Sequence, residues 1–133
     1  MKRTLLITLF ILANCSAEPE GYVPPEQVWN DWHVRIETRP GVLRAGMNEF
    51  LVIISDTRGL RPRENMLVKI RMPHSDWIQA MPDGGVGVYR RALPVRDPAH
   101  AVLHVYIKEE AGKWREGQLY FDFSPPEYRV ATP

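Results

Sequence analysis

Cysteine is nearly absent from this sequence of 133 residues, in which Cys15 is the single one. A chain with one cysteine forms no internal disulfide and holds no metal or redox site that needs two thiolates. An excess of charge of one sign is also missing, because 17 Lys and Arg residues oppose 16 Asp and Glu residues. The basic residues are dispersed along the chain, so we expect no nucleic-acid partner.

Motifs of common enzymes are missing too. The sequence has no Gly-x-Ser-x-Gly elbow, no phosphate-binding glycine loop, no His-Glu-x-x-His and no acidic calcium loop. A catalytic carboxylate pair would need residues such as Asp76 and Asp83, but Asp83 lies in a Pro-Asp-Gly turn, where its backbone role explains it. We therefore expect a protein that is not an enzyme.

Long apolar runs are lacking as well. The apolar run at residues 5–13 is broken only by Thr8 and follows the positive residues Lys2 and Arg3. It is shorter than the about 20 residues of a transmembrane helix and fits the about 7 to 15 residues of a signal-peptide core. Residues 1–14 are therefore predicted to be a cleaved export signal.

The end of that run, Leu12-Ala13-Asn14-Cys15, resembles the lipobox of bacterial lipoproteins. The resemblance implies that Cys15 is lipidated, becomes the new N-terminus and anchors the protein in a membrane. Ser16, by resemblance to Gram-negative lipoproteins, favours the outer membrane facing the periplasm. Asn14 stands where a small residue is usual, so a second interpretation places cleavage after Ala17 and gives a soluble exported protein.

Proline-rich sequence frames the central region. Residues 15–28 contain three prolines and no apolar period, and they are predicted to form an extended tether. Residues 29–124 are predicted to form one domain. Ser124-Pro125-Pro126 ends the last strand, and residues 125–133 are predicted to be a flexible tail.

Alternation of apolar and polar residues dominates the central region and is typical of strands with one buried face. A weaker run, 86–95, contains Pro94, which cannot donate a ladder hydrogen bond. Turn-forming residues separate the runs, and no apolar stripe of helical period is evident. The pattern predicts an all-β, immunoglobulin-like antiparallel β-sandwich of about seven strands. The clearest alternating runs are 32–36, 50–54, 66–72, 103–107 and 119–123.

Two segments carry a further resemblance. Met66-Leu67-Val68-Lys69-Ile70-Arg71-Met72-Pro73-His74, followed by residues 80–93 with Gly87-Val88-Tyr89, resembles the middle of YtkA-like and FixH-like envelope domains. The resemblance covers about residues 32–123 and implies a small β-sandwich at a bacterial membrane. Some members of those families are linked to copper handling or to cytochrome oxidase assembly.

A Met/His cluster is the candidate metal site of the sequence. Thioether sulfur and imidazole suit Cu(I), and Met72, His74 and Met81 are predicted at strand ends and turns. The competing interpretation is structural, because Met72 continues the alternating face of its strand and Met81 can fill a loop against Trp77. His100 and His104 are predicted on one strand face, roughly 13 Å apart at about 3.3 Å per residue, too far to share a metal ion.

Two functional hypotheses follow from these patterns. The first is a non-catalytic module that is anchored by lipid and binds or assembles with another envelope protein. Trp29, Trp77 and Trp114 are its candidate interface residues, because tryptophan is enriched at binding hot spots. The alternative is a copper-binding or copper-delivery domain that uses the Met/His cluster.

Overall fold

The computed structural model describes residues 21–56, 62–110 and 115–126. The predicted signal peptide, Cys15, Trp114 and residues 127–133 lie outside the described residues. Within the described ranges, no helix is long and apolar enough to cross a membrane.

The described residues form two antiparallel sheets, which confirms the predicted all-β sandwich. The five-stranded sheet has the order β1-β2-β3-β7-β6, and the four-stranded sheet has the order β5-β4-β8-β9. One 3₁₀ turn, Pro98–His100, precedes β8. The strands are β1 (Gln27–Trp29), β2 (Trp32–Arg39), β3 (Gly46–Asp56), β4 (Met66–Arg71), β5 (Ile78–Gln79), β6 (Met81–Pro82), β7 (Val88–Val95), β8 (Val102–Glu109) and β9 (Glu116–Asp122).

The core lies between the two sheets, where the alternating apolar residues of the long strands meet. In β2, for example, Trp32, Val34 and Ile36 are at most 1% exposed, as the period of two requires. The same alternation buries one face of β4 and of β8. The large fully buried side chains of the core include Trp32, Phe50, Phe121, Ile54, Ile70, Leu103 and Ile107.

The described residues form nine strands where about seven are predicted, because the additional ones are very short. β5 and β6 have two residues each and are separated only by Ala80, where the chain crosses from one sheet to the other. The amide of Ala80 donates to the carbonyl of Val68 at 2.9 Å. A strand of two residues has no period, so alternation cannot reveal it.

The β1 strand begins earlier than the predicted domain boundary. It pairs with β2 from Gln27, two residues before position 29. The Gln27 amide also donates to the carbonyl of Tyr120 in β9 at 2.7 Å, and the Trp29 ring lies against Gly117. A Cβ atom on Gly117 would stand 2.6 Å from Cε2 of Trp29, so only glycine leaves room for the ring there. This contact joins the two sheets along one side.

Pro94 lies inside β7, although it weakens the prediction of a strand. The carbonyl of Val88 accepts from Asp83 beside β6, whereas the carbonyl of Gly87 accepts from Ile54 in β3. Because backbone groups alternate in direction along a strand, Pro94 presents its backbone to the side of β6 and not to β3. β6 reaches only Tyr89 and Arg90, so the missing N–H of Pro94 faces an unpaired edge.

The prediction that His100 and His104 share a strand is wrong. His104 lies in β8, whereas His100 ends the 3₁₀ turn. Asp97 starts that turn, since its carboxylate accepts from the amide of Ala99 at 3.0 Å. Pro98 then supplies the fixed φ of a first helical position, which alternation alone does not reveal.

Candidate functional site

A row of aromatic and cationic side chains crosses the outer face of the four-stranded sheet. The strand register sets Arg71 of β4 opposite His104 of β8, and His104 opposite Tyr120 of β9. Trp77 extends the row on the other side, because β5 pairs Gln79 with Lys69 and residue 77 lies two positions before Gln79. The row therefore spans the whole width of the sheet.

The side chains of this row contact one another in sequence. The Arg71 guanidinium lies 4.5 Å from the centre of the Trp77 ring, and its Nε donates to Nδ1 of His104 at 3.3 Å. The His104 ring meets the Tyr120 ring edge to face, with centroids 4.8 Å apart. Trp77 also packs edge to face on Tyr106 at 6.1 Å. Such stacking orders the side chains before any ligand binds.

A second row runs beside the first and is polar. It contains Lys69 of β4, Tyr106 of β8 and Gln118 of β9, which the register places opposite one another. The Tyr106 hydroxyl donates to Glu116 at 2.6 Å. This hydrogen bond to a carboxylate raises the pKa of Tyr106. We call the surface formed by the two rows the aromatic face, and its members are Lys69, Arg71, Trp77, His104, Tyr106, Gln118 and Tyr120.

Most of the aromatic face is partly exposed, and Tyr120 is 54% exposed. Burial of the imidazole, followed by repulsion from Arg71 and His74, lowers the pKa of His104. A neutral His104 ring has a free Nδ1 lone pair that accepts the Arg71 N–H. Within the described ranges, neither Lys69 nor Arg71 forms an ion pair with a carboxylate. The face is therefore preorganised and carries two cations available for an anionic partner.

A cavity of about 510 Å³ opens at the side of the sandwich where β6 leaves the second half of β7 uncovered. Met72 and His74 line it together with His100. Met81 does not line this cavity, and it is 54% exposed in β6. Met72 follows the last residue of β4 and is partly buried against the core, so the predicted cluster is divided between two places.

The cavity offers few metal ligands in a common position. The described residues contain no group of three or more His, Cys, Asp or Glu side chains that could hold a metal ion. His74 has a φ of 63° in a turn that Ser75 closes by donating to the carbonyl of Met72 at 2.7 Å. His100 Nδ1 lies 2.8 Å from Asp97, and His33 pairs with Glu26 on the other sheet.

The two described tryptophans of the predicted interface lie on different surfaces. Trp29 packs against the core, with its ring 4.9 Å from that of Trp32. Trp77 lies on the aromatic face. Trp114 lies outside the described residues. The structure therefore leaves Trp77 as the described tryptophan with a place on an outer surface of the sandwich.

The sequence analysis does not predict which residues lie beside Trp77 on the aromatic face. His104, Tyr106 and Tyr120 were recognisable as outward positions of alternating strands. Their approach to Arg71 depends on the pairing of β4 with β8, which are more than 30 residues apart in the chain. Nothing local in a sequence of alternating strands specifies that register.

Comparison with known proteins gives a structural similarity without a sequence match. No protein-family profile and no curated protein sequence matches this chain. Among solved structures, the chain is similar to the crystal structure of a DUF4426 family protein from Pseudomonas aeruginosa PAO1. The TM-score is 0.47 and the sequence identity is 9%, and the match covers 76% of this chain and 97% of the other.

Proposed function

We propose that this protein is a non-catalytic recognition domain of the bacterial cell envelope, anchored by lipid on Cys15, that binds another envelope protein through the aromatic face. The observation that carries the proposal is the stacked row from Trp77 through Arg71 and His104 to Tyr120. Tryptophan, tyrosine and arginine are the residue types that dominate binding hot spots. A half-exposed and ordered set of them is well suited to a partner surface.

The side of the sandwich formed by β5, β6 and the end of β7 is less suited to strand pairing than the face is to side-chain contacts. β5 and β6 cover part of β4 and β7, and Pro94 withholds an N–H from the uncovered edge of β7. A partner strand added there would lack a ladder hydrogen bond. Recognition through side chains on the sheet face avoids this loss.

The proposed anchor sets how far the domain extends from a membrane. β1 begins at Gln27, which is 27 − 15 = 12 residues after Cys15. A chain of that length spans at most roughly 40 Å at about 3.3 Å per residue. Such a reach keeps the aromatic face near the membrane while leaving it free to meet a second membrane-bound protein.

Site-directed photocrosslinking in cells tests the recognition proposal. Gln118 on the aromatic face and Glu37 on the outer face of the five-stranded sheet are both exposed, so they form a matched pair for a benzoylphenylalanine residue. We expect a discrete protein adduct from position 118, which Trp77→Ala removes, and none from position 37. Equal adducts from both positions would contradict the proposal, as would an adduct that Trp77→Ala leaves unchanged.

A separate experiment tests the anchor. Mass spectrometry of the mature N-terminus should find a lipidated Cys15, and Cys15→Ser should release the domain from the membrane fraction. A mature chain that starts at Glu18 would instead support cleavage after Ala17.

A copper-binding domain is the second candidate function. The observation that favours it is that Met72 and His74 line one cavity with His100. A Cu(I) titration against a chelator should then lose binding in the Met72→Ala/His74→Ala variant and keep it in Met81→Ala, which serves as the matched control. Absence of Cu(I) binding to the wild-type domain would remove this candidate.

A further inference from the structure

The aromatic face carries positive charge that no carboxylate of the described residues neutralises. Lys69 and Arg71 occupy adjacent outward positions of β4, and no described carboxylate pairs with either. Glu116 is the carboxylate at the edge of the second row, and it accepts the Tyr106 hydroxyl at 2.6 Å. Paired cations on the outer face of the other sheet show the contrast, since Arg90 lies 3.1 Å from Glu49 and 3.4 Å from Asp83.

The geometry of Arg71 favours a carboxylate ligand. One face of its guanidinium lies on Trp77, and its Nε donates to His104. The terminal nitrogens remain, and they point in the fork arrangement that matches the two oxygens of a carboxylate. Stacking already orders the Arg71 side chain. A carboxylate that pairs with it therefore costs less conformational entropy than one that pairs with a mobile arginine side chain.

The two cations stand at strand positions that are spaced like alternate residues of an extended peptide. Residues i and i+2 of a strand are separated by roughly 6.7 Å, at about 3.3 to 3.4 Å per residue. Lys69 and Arg71 have this separation along β4. Carboxylates at alternate positions of an extended segment have the same separation, and the aromatic rings beside the cations accommodate its backbone and apolar side chains.

We infer that the aromatic face binds an extended acidic segment of the partner protein, with carboxylates two residues apart paired to Lys69 and Arg71. The inference rests on the proposed function, because it assigns the chemistry of the partner to the same face. It specifies the spacing of the acidic residues as well as their charge.

Two synthetic peptides of equal composition test the spacing. One alternates serine and glutamate over eight residues, and the other has the order Glu-Glu-Ser-Ser-Glu-Glu-Ser-Ser, in which no two glutamates are two residues apart. Fluorescence anisotropy with the full mature chain should show tighter binding of the alternating peptide. Equal affinity for both peptides would overturn the spacing, and tighter binding to phosphatidylglycerol vesicles than to either peptide would assign the face to a membrane instead.

Charge-matched variants test the site. The Lys69→Gln/Arg71→Gln double variant should bind the alternating peptide with an affinity lower by about tenfold or more, because each charge-assisted hydrogen bond contributes on the order of tenfold in affinity. Arg35→Gln/Arg90→Gln removes the same charge from the other sheet and should change affinity by less than about twofold. Arg71→Lys keeps the charge but removes the paired guanidinium nitrogens and the stacking on Trp77, so its loss of peptide affinity should be intermediate. Equal losses in both double variants would overturn the inference.

The outcome separates the inference from the proposed function. If position 118 crosslinks a partner and neither peptide binds, the recognition role stands and the acidic segment is rejected. If position 118 and position 37 crosslink alike, the proposed function fails whatever the peptides do.

Discussion

The two outer faces of the sandwich differ in how their side chains are used. On the five-stranded sheet, Leu51 is 3% exposed and stands between Glu37 and Arg90 in the strand register, and Arg90 pairs with Glu49 at 3.1 Å. On the four-stranded sheet, Trp77 and Tyr120 remain partly exposed, and Arg71 stacks on a ring instead of pairing with a carboxylate. On the first face Arg35 and Arg90 pair with carboxylates. On the second face Lys69 and Arg71 form no such pair among the described residues, and ordered aromatic side chains are in contact with solvent.

The difference shows which surface contributes to stability and which is available for binding. Ordinary soluble domains cover apolar side chains of an outer face with their own charged residues, and Leu51 stands between two such residues. An outer face that keeps ordered aromatic residues exposed gains little stability from them, and exposed apolar surface of this kind marks interaction sites. Four predictions follow from this contrast, and the first has the largest expected effect.

Truncation of one apolar side chain on each face should have unequal effects on stability. Leu51→Ala should lower the free energy of unfolding by about 2 to 4 kcal/mol, because it empties a buried site. Trp77→Ala should lower it by about 1 kcal/mol, because the ring is partly exposed and loses mainly its contact with Arg71. Urea unfolding measures both. A loss for Trp77→Ala as large as that for Leu51→Ala would make Trp77 a structural residue.

The contact that joins the two sheets beside β1 gives the second prediction. Gly117→Ala should destabilise the fold by about 1 to 3 kcal/mol, because the new Cβ would stand 2.6 Å from Cε2 of Trp29. Gly41→Ala is the matched control, since a Cβ at Gly41 has no neighbour within 4 Å. Thermal unfolding of the two variants compares them. Similar midpoints would mean that the Trp29 ring moves aside without cost.

These positions also show what could be predicted from the sequence. The alternation around Phe50 and Phe121 predicts their burial, because a period of two is a local property. The contact of Trp29 with Gly117 could not be predicted, since it joins β1 to β9 at the side of the sandwich. The same limit applies to the aromatic face, where Arg71 meets His104 only through the register of β4 and β8.

The metal candidates show a second limit of sequence reasoning. Met72 and His74 are two residues apart, so their neighbourhood could be predicted, and both line one cavity. Met81 lies beyond the crossing at Ala80, in the other sheet. A crossing made by strands of two residues leaves no periodic signal, so the separation of Met81 from the other two residues could not be foreseen.

The pH dependence of the aromatic face gives the third prediction. Burial lowers the pKa of His104 below the ordinary value of about 6.5 in an unfolded chain. The unfolded chain therefore binds a proton more readily, and the contribution of His104 to stability is complete above about pH 6.5 and is lost as the pH falls through the folded pKa. His104→Gln should remove this part of the decline. Parallel stability curves for wild type and variant between pH 7 and pH 5 would contradict it.

The smallest effect is expected for an ion pair on the five-stranded sheet. Arg35 and Glu37 lie 3.5 Å apart, and both side chains are about half exposed. Glu37→Gln should change the free energy of unfolding by less than about 0.5 kcal/mol, because solvent screens exposed pairs. The same urea experiment measures it. A larger loss would mean that this face depends on its charges for stability more than its exposure indicates.

The central claim is that the partner binds the outer face of the four-stranded sheet. The most direct test records the amide chemical shifts of the isotope-labelled domain while the purified partner, identified beforehand by crosslinking, is added. We expect the shift changes to centre on Lys69, Tyr106 and Tyr120 and to leave Arg35 and Glu49 unchanged. Changes centred on the five-stranded sheet, or on His74 and His100 at the cavity, would contradict the account.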